Sequence, residues 1–167
     1  DYHALISRKT CSCHHASIIR HKDQKIILDS ECIRDTKNVN FAGLGGGYIF
    51  KDDSLFLSIG TPTHISDDID LYAQEEKSVF GKILKFKKDD QTIYETYSSG
   101  HRNPQGLTLA GNNLYSTEHG PQGGDELNKI TQNKNYGWPI ASLGTRYGGK
   151  SYKKSHSLNN FVEPIFS

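Results

Sequence analysis

A chain of 167 residues, 34% hydrophobic and 23% charged with a formal net charge of +1, has the make-up of a soluble globular protein. Its 20 basic residues are interspersed among 19 acidic ones, which argues against nucleic acid or an anionic membrane as a partner, and no apolar stretch is long enough to span a bilayer. The lysine-rich runs Lys82 to Lys88 and Lys150 to Lys154 are expected to be solvated strand faces or edge protection.

In chain order, Asp1 to Ser7 has neither a basic start nor a long apolar core, so no secretory leader is visible. Cys11, Cys13 and Cys32 cannot all pair within the chain, and the spacing of Cys11 and Cys13 puts them on one side of a strand beside His14 and His15. A metal cluster, buried thiols and a disulfide to Cys32 all remain open. Short β-branched and aromatic runs then recur between turn signals, with almost no helical periodicity. They predict strands at Ala16 to Arg20, Lys25 to Asp29, Gly47 to Phe50, Leu55 to Ile59, Gly81 to Lys87, Thr92 to Tyr97, Gly106 to Leu109, Leu114 to Thr117 and Glu126 to Thr131. Tight turns are expected at His21 to Gln24, Lys51 to Ser54, Lys88 to Gln91 and Gly111 to Asn113.

Pro62 to Ser78 interrupts this meander with Asp67, Asp68, Asp70, Glu75 and Glu76, and reads as a solvated polar insert, its spacing unlike an EF-hand loop. The chain opens on Asp and ends in a further strand-like run, Phe161 to Phe166, as a piece of something longer would. The economy of linkers makes the fold all-β and antiparallel, but leaves propeller and sandwich open.

Three motifs carry chemistry. Gly100-His101-Arg102-Asn103-Pro104-Gln105-Gly106-Leu107 offers a guanidinium fork with two amides on a backbone stiffened by proline. Glu118-His119-Gly120-Pro121 and Gly123-Gly124-Asp125-Glu126 form a turn whose carbonyls escape the strand ladder, as a hard cation requires. Asn135-Tyr136-Gly137-Trp138-Pro139 holds the only tryptophan, which is expected to be structural.

Together these motifs resemble the soluble glucose/sorbosone (aldose sugar) dehydrogenases that use pyrroloquinoline quinone (PQQ), most strongly between Gly45 and Pro139. The resemblance implies a six-bladed β-propeller, of which residues 1–167 would supply three to four blades at about 40 to 45 residues each. The raw edge of such a partial propeller would be completed by further sequence or a partner chain. It also implies oxidation of an aldose hydroxyl by hydride transfer to the quinone, with calcium assisting cofactor binding in a periplasmic or secreted protein. Residue by residue, it makes Arg102 catalytic and assigns Arg102, Asn103 and Gln105 to the cofactor. The carbonyls of Gly120 and Pro121 would hold calcium, with Asp125 and Glu126 at a further calcium or as plain turn residues. In active relatives a histidine base precedes a glycine pair upstream of the strands matching Tyr48 to Gly60. This chain carries Ala42 there, which leaves His64, His101 and His119 as substitute imidazoles. The alternative is a catalytically silent propeller that binds a carbohydrate or protein partner.

Overall fold

The computed structural model describes residues 3–34, 40–62, 69–147, 152, 156–157 and 160–167. Three antiparallel sheets follow one another along the chain. The first contains β1 (His3–Thr10), β2 (Cys13–Arg20) and β3 (Lys25–Asp29) in that order, with β4 (Ile33–Arg34) beside the start of β2. The second contains β5 (Gly45–Lys51), β6 (Ser54–Ile59), β7 (Lys82–Lys87) and β8 (Tyr94–Ser99). The third contains β9 (Pro104–Ala110), β10 (Asn113–Glu118) and β11 (Glu126–Ile130), and a bridge from Leu127 to Phe166 adds the chain's last residues at its edge. A short β12 (Lys134–Asn135) returns to the second sheet and pairs in parallel with β8.

The alternation within the middle sheet explains how the sheets stack. In β6, Leu55, Leu57 and Ile59 point into one core with Ala16, Ile18, Leu28 and Ile33 of the first sheet, while Phe56 points the other way. In β7, Leu84 and Phe86 join the first core, and Ile83 joins Leu114 and Ile130 of the third sheet. A period of two therefore buries apolar side chains on both faces of these strands, Leu55 to Leu57 of β6 and Ile83, Leu84 and Phe86 of β7. Sheets stacked face to face in chain order, each a strand, tight turn and strand, are blades of a β-propeller. The all-β expectation holds, and three blades are present among the described residues.

Several expectations need correction. Lys82 lies not on a solvated face but in the interior at 2% exposure. Its ammonium donates to the carbonyls of Tyr72 (3.0 Å), Ala73 (2.9 Å) and Phe80 (2.9 Å), which gives a buried cation the partners it requires. Lys150, Ser151, Lys153 and Lys154 lie outside the described residues, as do 63–68 with His64, Asp67 and Asp68. What is described of the polar insert is an ordered 3-10 helix, Ile69–Gln74, with Ala73 buried at its end. Cys11 does not share a strand face with Cys13: it sits exposed in the turn after β1 at φ 49°, while Cys13 and Cys32 form a disulfide. No group of three or more His, Cys, Asp or Glu side chains poised to hold a metal occurs among the described residues.

Candidate functional site

The site is built where the second and third sheets meet. Gly100 turns the chain out of β8 at φ 75°, and a Cβ there would lie 2.6 Å from the Gly137 nitrogen and 2.9 Å from that of Tyr136, so only glycine allows the two segments so close. His101 then points inward. It is fully buried, with Nε2 2.8 Å from the Ser98 hydroxyl, Nδ1 2.6 Å from the Glu118 carboxylate, and its ring stacked on Tyr136 at 4.7 Å. An imidazole so enclosed is a hydrogen-bonding core residue and reaches no substrate.

Arg102 points the opposite way, toward the turn after β10. Its Nη1 donates to the carbonyls of His119 (2.8 Å) and Gly120 (2.7 Å), and its Cζ lies 5.3 Å from the Trp138 ring centroid. The arginine-bearing strand mouth and the glycine-proline turn thus converge, as the sequence motifs required. Nε of Arg102 is buried and has no hydrogen-bond partner, an orphaned donor beside a cleft of about 10 Å³ lined by Glu118, Gly120, Glu126 and Trp138. That volume is about one water molecule.

The other expected cofactor residues are placed differently. Asn103 is buried; its side-chain oxygen accepts from Gly45 N–H (3.1 Å), and its backbone carbonyl accepts from His119 N–H (3.0 Å). It therefore clamps the loop that contains Ala42 and Gly43 to the His119 turn. Gln105 is exposed and lines an adjoining groove with Thr117, Asp125 and Phe166, which shares Glu118, His119 and Glu126 with the cleft at Arg102 but does not bring Gln105 into it. Ala42 is exposed in the loop before β5 and brings no ionisable group.

Among the expected metal positions, the Gly120 carbonyl accepts from Arg102 and the Pro121 carbonyl from the Tyr147 hydroxyl (3.2 Å). Asp125 accepts from Gly120 N–H (2.8 Å) and pairs with His119 Nδ1 (2.9 Å), and those contacts, the backbone bond first, hold its carboxyl below the usual range. Glu126 lies deeper. Burial, then the neighbouring Glu118 carboxylate, pushes its pKa up to about 7. His156 stands nearby, with Nε2 3.8 Å from Glu126.

Sequence reasoning missed three residues that build this site. Glu118 takes His101, the side-chain amide of Asn128 (3.0 Å) and the Arg102 N–H (3.2 Å) on one buried carboxylate. Thr61, in the loop after β6, and Gln74, at the end of the 3-10 helix, both hydrogen-bond Trp138. Glu118 stands in sequence beside a turn whose signal comes from its glycine and proline, and Thr61 and Gln74 carry no local signal because their partners lie 41 to 77 residues away.

Residues 8–167 match the family described as Glucose / Sorbosone dehydrogenase, and the chain belongs to that family. It is 47% identical over 139 residues to the aldose sugar dehydrogenase YliI of Escherichia coli (strain K12), covering 73% of this chain and 36% of YliI. The solved soluble aldose sugar dehydrogenase of Escherichia coli in the apo-form aligns at TM-score 0.72 and 24% identity, over 96% of this chain and 51% of that one. The PQQ-bound aldose sugar dehydrogenase of Streptomyces coelicolor aligns at TM-score 0.56 and 24% identity, over 91% and 48%. At that identity the two structures speak for the propeller fold. The chain spans about a third of YliI and about half of each of these structures.

Proposed function

We propose that this chain forms half of the cofactor and substrate site of a PQQ-dependent sugar dehydrogenase of the periplasmic or secreted type. Arg102 carries the reading: an orphaned guanidinium Nε beside a motif that names the family supports recognition of a planar anionic quinone. The donors fit such a group, since a planar guanidinium fork held over an indole face suits a flat ligand that carries anionic oxygens. The cleft is far too small to enclose it, so the ligand is met on the open side of Arg102, against the rest of the propeller. When bound, PQQ would supply the hydride acceptor for a sugar carbon. Arg102 would then stabilise charge gathering on the quinone oxygen it faces.

Calcium belongs to this reading. The carbonyls of Gly120 and Pro121 are hard oxygen donors on an irregular turn, and Asp125 and Glu126 add carboxylates beside them. A cation there would replace the Arg102 Nη1 and Tyr147 hydroxyl contacts, which would free the guanidinium for the quinone. Asn103 would fix the loop backbone rather than touch the cofactor, and Gln105 would lie at its margin. His119 is the imidazole suited to receive the hydroxyl proton: its side chain is 59% exposed and its Nδ1 is engaged by Asp125, the orientation a general base requires. The Cys13–Cys32 disulfide supports an oxidising compartment.

The test is dye reduction by the complete polypeptide with an aldose, PQQ and calcium. Turnover that falls by about a hundredfold or more in Arg102→Ala is expected, the scale of losing a donor to developing negative charge. A wild-type protein that binds an aldose without turning it over would overturn the assignment in favour of a silent propeller.

A further inference from the structure

Arg102 has a rigid fork on a flexible stem, so its usefulness depends on what holds it. Two carbonyls aim one end of the guanidinium, and the Trp138 ring supports its face. Trp138 is itself held at three points. Its N–H donates to the Gly100 carbonyl (2.9 Å), its carbonyl accepts from the Gln74 side chain, and its indole Nε1–H donates to the Thr61 hydroxyl (3.1 Å).

Thr61 is the residue common to both partners. It is fully buried, with only Gly60 between it and the end of β6. Its backbone N–H donates to the Arg102 carbonyl at 2.8 Å, and its hydroxyl, while accepting from the indole, lies 3.3 Å from the same carbonyl with its proton directed there. One hydroxyl thereby fixes the indole plane relative to the backbone that carries the guanidinium. With a single proton and two engaged neighbours it has one orientation in which both contacts are made.

We propose that Thr61 is a positioning residue that locks Arg102 and Trp138 into one preformed platform for a planar anionic ligand. This deepens the quinone reading above and rests on it for the identity of the ligand. Thr61 touches no ligand and acts through its two neighbours. Thr61→Val keeps the volume and the backbone bond but leaves a buried indole N–H without an acceptor, whereas Thr61→Ser keeps the hydroxyl.

The platform can be read without turnover in the complete polypeptide, because the difference from Trp138→Phe isolates the signal of this one ring. Indole N–H exchange by NMR, with Trp138→Phe identifying the signal, and acrylamide quenching of its fluorescence report the ring directly. Relative to wild type, Thr61→Val should exchange its indole N–H about tenfold faster and bind PQQ about tenfold more weakly, the scale of one lost buried hydrogen bond, and Thr61→Ser should restore both. A wild-type indole N–H that exchanges as fast as free tryptophan overturns the proposal, and this measurement requires no variant to fold. So does a folded Thr61→Val with unchanged exchange, quenching and affinity. A protected wild-type indole that loosens in Thr61→Val while wild type binds no PQQ supports the platform and refutes the quinone reading instead.

Discussion

Arg102 is placed by absences as much as by contacts. Gly60 lies where three backbones meet, and a Cβ built on it would collide with the Gly43 carbonyl and come within 2.7 Å of the Arg102 carbonyl. Its own N–H is spent on the Leu44 carbonyl at 2.7 Å, so the residue cannot slide away. Gly60→Ala should therefore cost about 1 to 3 kcal/mol or more, as overpacking of backbone against backbone does, and should displace Arg102. Urea unfolding measures the first effect and PQQ binding the second; an alanine variant as stable as wild type would show that these backbones are not closely packed. At this scale the sequence displayed the actors but not their directions. Arg102 and Gly120 could be paired by motif alone, because both sit at strand ends of one hairpin, β9 to β10. That Asn103 turns inward to Gly45 while Arg102 turns outward depends on a partner 58 residues away, and no local spacing encodes it.

Elements far from Arg102 hold the ring beneath it. Gln74, at the end of the 3-10 helix, exchanges reciprocal amide hydrogen bonds with Asn135 of β12 at 2.7 and 3.2 Å and also reaches the Trp138 carbonyl. That helix is in turn fastened to β7 by the Lys82 ammonium, so a segment read from composition as a solvated insert is a strut of the site. Composition marked it polar; the buried lysine that anchors it was hidden in an apparently ordinary basic strand. Likewise β1 carries a single short apolar run, Ala4 to Ile6, before a polar half, and β12 is too short to leave a pattern. Burial lowers the pKa of Lys82 from 10.5 to about 8, against an opposing pull from Glu31 and Glu75. Between those two values the unfolded chain keeps a proton that the folded chain has released, so stability rises with pH across that window, by up to about 3 kcal/mol. The burial cost is fully present below about pH 8. Lys82→Met should flatten this rise, whatever its effect on stability at neutral pH. Parallel slopes for the two proteins from pH 8 to 10 in urea titrations would show that the ammonium is solvated.

Across the whole molecule, the three blades are joined by two cores that share the middle sheet, so the first blade can act on the site only through that sheet. The Cys13–Cys32 disulfide closes the hairpin of β2 and β3 at a separation of 19 residues. Glu31, next to Cys32, bonds the Ser78 hydroxyl and accepts from Val79 N–H at 3.4 Å, just before β7. The covalent link thereby holds the residue that ties the first blade to the second. Closing a loop of this length restricts the unfolded chain by about 3 kcal/mol, so Cys32→Ser should lower stability by up to that amount. Because Ile18, Leu28 and Ile33 share one core with Leu57, Leu84 and Phe86, the loss should move the unfolding of all three blades together, and the Trp138 fluorescence transition should shift with the circular dichroism transition. If the two probes separate in Cys32→Ser, with the tryptophan signal unmoved, the first blade folds independently of the site. The shared core would then be a contact between units rather than the interior of one.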